Sequence, residues 1–358
     1  MLIRRFLVFL LLCFNFVSAC QAVSLNGTTG TSIYQSALYA FANGDFAKGF
    51  VCLNSGFSVP VGGTVTMNML NPISGTINLN GTGGISLDGD ITLGSNITIQ
   101  NGGFIDGQDN TIFLNGDLTI PAGTGFEITS NTVIDGQGHD IVFQDGSAGA
   151  YFWINGPVGT TLTLRNCAIK GLKNYSGGYG SFVFGTSDDQ KLVLNGVNLY
   201  MAGNYNFSGG YLDVKNKVSL FGINYYFAYN SEYALTIKPD STLFIDMRTV
   251  FTYDPEIKQK HPTNGMVARL VVMEDRSSQL YLNGCTIYLP LTEGLVLTKG
   301  HLIVDHKTIV YGNGVVCGNY SYGMAFGDGK AANDLMVDIM PGADLQVYEG
   351  TLHYGNSN

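Results

Sequence analysis

The chain has 358 residues, 48 of them glycine, with 45% apolar and 12% aromatic side chains, only 13% charged ones and a net charge of −9. This excludes a disordered tail, which needs more charge and fewer aromatics, a coiled coil, which needs Ala, Glu, Lys and Leu in quantity, and a nucleic-acid binder, which needs a basic surplus. The acids are 21 Asp against 6 Glu, and Asp with Gly and Asn is turn chemistry rather than helix chemistry, so a β-rich, turn-rich chain is expected.

In chain order, Arg4 and Arg5 precede an apolar run over residues 6–16 that ends at the small residues Ser18 and Ala19. Residues 1–19 thus have the form of a secretory signal peptide, with a run too short to span a bilayer. The expected mature protein is exported, extracellular or at the cell surface, and has no transmembrane helix. Val17-Ser18-Ala19-Cys20 resembles the lipobox of bacterial lipoproteins. Two outcomes stay open: acylation of Cys20, giving a lipid anchor, or simple cleavage after Ala19.

Residues 20–58 are expected to form an N-terminal cap region. Within it Ile33, Ala37, Leu38 and Phe41 fall at helical spacing behind Ser32, which predicts a short capping helix over residues 32–45.

From residue 59 to 352 the texture is repetitive. Ile105-Asp106-Gly107-Gln108 returns as Ile134-Asp135-Gly136-Gln137, Leu87-Asp88-Gly89-Asp90 as Leu114-Asn115-Gly116-Asp117, and Leu192-Val193-Leu194-Asn195-Gly196 as Leu280-Tyr281-Leu282-Asn283-Gly284. The separations cluster near multiples of about 29 residues, the mark of a stacked repeat architecture. Between the echoes lie short alternating runs such as Leu118-Thr119-Ile120 and Phe126-Glu127-Ile128, bounded by turn residues, and such runs are strands. An all-β solenoid of about ten coils is expected. The charged stretch near residue 254 predicts a projecting loop over residues 252–264, and residues 353–358 are expected to be a C-terminal tail.

Val133-Ile134-Asp135-Gly136-Gln137-Gly138-His139 resembles a coil of the right-handed parallel β-helix superfamily, which includes pectate lyases, polygalacturonases and many bacterial surface passengers. The resemblance implies that fold and is nearly silent on activity. In its strand-and-turn element Ile points inward, Asp accepts backbone N–H groups and Gly is expected to supply positive φ.

The family's enzymes give a standard for catalytic residues. Asp188-Asp189 resembles the Asp pair of polygalacturonases, but His139 precedes it and no Arg-x-Lys follows. Asp305-His306 resembles an element of pectate lyases, yet Arg269 and Arg276 do not form the arginine motif that goes with it. Turn positions explain these residues better. The Asp-rich turns at Asp88-Gly89-Asp90 and Asp106-Gly107-Gln108-Asp109 lack the spacing of calcium-binding repeats and are expected to cap turns. Cys167 and Cys285 are expected to stay unpaired with each other, whereas Cys285 and Cys317, about one coil apart, leave both bonding and free thiols open. No catalytic residue, metal ligand or cofactor is expected.

Tyrosines cluster at Tyr175, Tyr179, Tyr205, Tyr211, Tyr225 and Tyr226 among Gly, Asn and Ser. They are candidates for binding surface glycans or proteins, with interior stacking as the alternative, and Trp153 is expected to be buried. The function expected is a structural, adhesive or glycan- or protein-binding role without catalysis; the alternative is a polysaccharide lyase or glycoside hydrolase with a divergent site.

Overall fold

The computed structural model describes residues 24–26, 38–39, 50–51, 57–58, 64–67 and 76–354, with residues 96, 147, 176–179, 188, 254–270, 290–294, 313–321 and 328–332 outside the description. Among the described residues there is no helix. Short strands, three to a coil, stack on their counterparts in the next coil, and almost every pairing is parallel. The result is a right-handed parallel β-helix, as the repeats led one to expect.

Its core is a set of aliphatic ladders. One runs Ile97, Leu118, Ile141, Ile169, Leu199, Leu220, Ile245, Leu282, Val304 and Ile339, each directly over the last. The alternation apolar-in, polar-out holds because successive side chains of a strand point to opposite faces. Every member but Ile339 is at most 4% exposed. Aromatic stacks carry the core on: the ring centres of Phe207 and Tyr229 lie 5.3 Å apart, and those of Tyr229 and Tyr253 6.2 Å, nearly parallel in each case.

The coils are unequal. Successive members of that ladder are separated by 21 residues at least, between Ile97 and Leu118, and 37 at most, between Ile245 and Leu282. The echoes at about 29 residues therefore do not stack. Ile105 pairs with Ile128, and Ile134 pairs with Ile112. The two Ile-Asp-Gly-Gln elements close different corners of the coil, so the repeat marks a corner device used at several corners.

That device also differs in detail from the expectation. Gln108 and Gln137 carry the positive φ, 47° and 51°, rather than the preceding glycines. Gly136 is needed for close approach, since a Cβ there would fall 2.4 Å from Cys167 Cβ and 2.8 Å from the Asn166 carbonyl oxygen. The aspartates do accept hydrogen bonds at turns. Asp135 Oδ1 accepts from the Gln137 N–H at 3.1 Å, and Asp90 and Asp117 accept from the backbone N–H of Thr111 and Asp140 in the following coil, at 2.7 and 2.9 Å.

The signal segment, Cys20, Cys317, Asp188, Arg269 and residues 254–264 of the expected loop lie outside the described residues, as does the span 32–45 except for a few positions. Of that span, Leu38 and Tyr39 form a short strand antiparallel to Phe50 and Val51. Thr252 and Tyr253, where the loop was expected to begin, end the strand Val250–Tyr253. Residues 353 and 354 of the expected tail close a strand, Thr351–Tyr354.

Candidate functional site

One outer flank of the solenoid carries a groove of about 800 Å³. Its floor is the outward side of the strands Gly103–Asp106, Gly125–Ile128 and Tyr151–Ile154. Interior residues of these strands, Ile105, Phe126, Ile128, Phe152 and Ile154, are at most 2% exposed. Register then fixes what faces outward. Phe104 lies beside Gly84 on one side and Glu127 on the other, and Glu127 lies beside Trp153. Tyr151 lies beside Gly125.

Glycines shape this floor. The ring of Phe104 occupies the space above Gly84, where a Cβ would come within 2.1 Å of it, and the ring of Tyr151 covers Gly125 in the same way, at 2.3 Å. Each aromatic side chain thus lies back across the strand before it, a flat apolar surface where a β-branched residue would have pushed it upright. The wall is made by tight corners at Asn80-Gly81 and Asn101-Gly102, all four residues in the left-handed region, with Asn101 Nδ2 donating to Asn78 Oδ1 at 3.0 Å. Asn80, Thr82 and Asn101 line the rim.

Trp153, expected to be buried, is 36% exposed. Parity is the reason: Phe152 and Ile154 continue the interior rows of Phe126 and Ile128, so Trp153 must share the outward parity of Glu127. That signal was present in the sequence as the alternation Phe126-Glu127-Ile128. Among the described residues neither Phe104 nor Trp153 stacks on another aromatic ring, in contrast to the paired rings elsewhere on the molecule, such as Tyr200 and Phe221 at 4.7 Å.

Glu127 is the one carboxylate lining the groove among the described residues. Its Oε1 accepts a hydrogen bond from Asn155 Nδ2 at 2.7 Å. Asp106, on the same sheet face, is tied up by Ser130 Oγ, Gln108 Nε2 and Ser86 Oγ at 2.6, 2.9 and 3.2 Å.

The tyrosines singled out from sequence are scattered. Tyr175 and Tyr205 are 6% and 1% exposed, so they belong to the packed interior and offer no surface to a ligand. Tyr211 is half-buried, its ring 4.7 Å from Tyr233 and 5.6 Å from the Lys191 ammonium. Tyr225 and Tyr226 are exposed at the start of the strand Tyr226–Tyr229, away from the groove lining, and Tyr179 lies outside the described residues.

The histidines and acids weighed for catalysis occupy separate corners. His139 stands 3.9 Å from Asp117, His306 is 3.2 Å from Asp305, Arg276 pairs with Asp334, and Asp189 sits in a turn with φ of 62°. None of them lines the groove. Among the described residues no three His, Cys, Asp or Glu side chains converge as metal ligands, and no helix is long and apolar enough to cross a membrane. The chain matches no family model, no curated protein and no solved structure.

Proposed function

We propose that the protein is an exported β-helix whose groove binds a short run of a neutral glycan, without transforming it. The observation that carries this is the shelf of Phe104 and Tyr151, each laid on a glycine, with Trp153 beside them and Asn80, Asn101 and Glu127 at the edge. Sugar rings have apolar faces and hydroxyl edges, and a flat aromatic floor with amide and carboxylate groups at its side complements both. The groove crosses three successive strands, about 10 Å at the usual strand spacing, room for a short oligosaccharide.

Charge narrows the ligand. Glu127 in the groove and a net charge of −9 disfavour a polyuronate or sulfated chain. Glycoside hydrolysis commonly takes two carboxylates flanking the scissile bond, and among the described residues Glu127 has no second carboxylate beside it in the groove lining, which favours holding over cleaving. Export rests on residues 1–19, and a lipid anchor would rest on Cys20. Mass spectrometry of the mature N-terminus separates the two: a diacylglyceryl-modified Cys20 supports the anchor, and an unmodified residue 20 removes it.

The groove is tested by isothermal titration with neutral hexasaccharides of differing linkage and with a polyuronate control. Binding of at least one neutral chain, weakened about tenfold or more by Trp153→Ala and unchanged by Tyr226→Ala, is the expected result. Binding insensitive to Trp153→Ala, or confined to the polyuronate, would overturn the assignment.

A further inference from the structure

We propose that the groove is one end of a longer track, and that its ligand is an extended neutral polysaccharide lying along the solenoid axis from Phe104 to Tyr311; this rests on the reading of the groove as a glycan site. Strand pairing sets Phe104, Glu127, Trp153 and Val183 in one outward file, each beside the next in the following coil. On the six-stranded sheet a second file runs in the same way through Asn206, Ala228, Thr252, Tyr288 and Tyr311.

The two files are one. The strands Phe182–Phe184 and Tyr205–Phe207 belong to different sheets, yet the strands that follow them, Lys191–Met201 and Tyr211–Lys215, pair directly, so the first two occupy successive coils. The ring centres of Phe184 and Phe207 lie 5.2 Å apart, and the Tyr205 hydroxyl donates to the Phe182 carbonyl oxygen at 3.5 Å. With those residues stacked across the junction, Val183 stands over Asn206. Parity holds the second file outward as it does Trp153: Tyr205, Phe207, Phe227, Tyr229, Ile287 and Val310 flank its members along the strands and are at most 3% exposed.

The joined file falls into three stretches. Rings stand at both ends, with Tyr288 and Tyr311 46% and 38% exposed against 36% for Trp153. Between them come only short side chains, Val183, Asn206, Ala228 and Thr252, with Ala228 sunk to 6%. From Phe104 to Tyr311 the single charged member is Glu127. The outward side of the eighteen-stranded sheet is different: there Arg165 pairs with Asp135, and Lys191 and Lys238 converge on Asp213 at 3.4 and 3.5 Å. A nearly uncharged file with a ring platform at each end suits a polymer that is itself uncharged, and suits an anionic one poorly. The file climbs eight coils, about 38 Å at the usual strand spacing, and Trp153 stands five coils, about 24 Å, from Tyr288. A short oligosaccharide cannot touch both platforms. One long chain can, and its second contact then forms at the high effective concentration of a tethered group.

The test is isothermal titration with a trisaccharide and a dodecasaccharide of the linkage that the groove takes. The variants are Trp153→Ala, Tyr288→Ala, Tyr311→Ala and Tyr288→Phe, with Tyr200→Ala, on the eighteen-stranded sheet, as control. The dodecasaccharide is expected to bind at least a hundredfold more tightly than the trisaccharide, beyond what a longer chain gains by offering more places to start. Tyr288→Ala and Tyr311→Ala should each weaken the dodecasaccharide about tenfold and leave the trisaccharide unchanged. Tyr288→Phe, which keeps the ring, and Tyr200→Ala should change neither, and Trp153→Ala should weaken both. A dodecasaccharide that gains nothing over the trisaccharide, or whose gain survives both tyrosine truncations, would overturn the track and leave the groove standing. A trisaccharide indifferent to Trp153→Ala would overturn the groove, and the track with it.

Discussion

At the residue scale the corner element explains most of the aspartate. Asp135, 7% exposed, accepts from the Gln137 N–H and Asn166 Nδ2 and pairs with Arg165 Nε at 2.7 Å. Truncation leaves those donors unmatched, and Asp135→Ala should cost about 2 kcal/mol in urea denaturation. Asp135→Asn, which keeps an acceptor, should cost less. The glycine and glutamine beside it behave opposite to the simple motif. Gly136→Ala should destabilise by about 2 kcal/mol, because its Cβ meets the next coil's backbone, whereas Gln137→Gly, relieving a φ of +51°, should be neutral or stabilising. A loss of stability for Gln137→Gly equal to that of Gly136→Ala would contradict the assignment.

The two described thiols make a pH prediction at the same scale. Burial pushes Cys167 and Cys285 up from 9.0 to about 12, with Asp135 adding to the effect at Cys167. Both are free. A raised folded-state pKa means their contribution to stability is intact below pH 9 and is lost as pH climbs toward 12. In the folded protein at pH 8 neither should react with a thiol reagent, while both should react in denaturant; prompt labelling of Cys167 before unfolding would show that the coil is not closed over it.

At the scale of the element, coil length is what the sequence hid. Strands were legible from period-two alternation, as in Leu118-Thr119-Ile120, and the fold followed from the corner motifs. The stacking register was not legible, because the same motif closes more than one corner and corners absorb extra residues without disturbing the ladder, as between Ile245 and Leu282. The candidate groove stayed hidden for a related reason. Its aromatics come from two strands and its carboxylate from the strand between them, and they gain meaning only when Phe104, Glu127 and Trp153 are set side by side by pairing. Tyrosine abundance pointed instead to Tyr175 and Tyr205, both buried, the latter packed on Phe227. Ladder position also sets the energy of a substitution. Ile141→Ala, in the middle of the row, should cost about 3 kcal/mol, and Ile339→Ala, at an exposed position of the same row, under about 1 kcal/mol, measured by equilibrium unfolding. Equal losses at the two sites would contradict the difference in burial between them.

At the scale of the whole molecule, a single core threaded by aliphatic and aromatic ladders frees the outer flank from any packing duty, so one stretch of it can carry outward-facing rings, two of them laid on glycines. Trp153 is the only tryptophan in the chain, and it sits in the proposed site. Its fluorescence therefore reports on that groove alone. Titration with the neutral oligosaccharide that binds should shift or quench the emission in a saturable way, with a midpoint matching the calorimetric one and abolished by Tyr151→Ala. Saturable glycan binding with an unchanged Trp153 emission would place the ligand elsewhere and contradict the central claim.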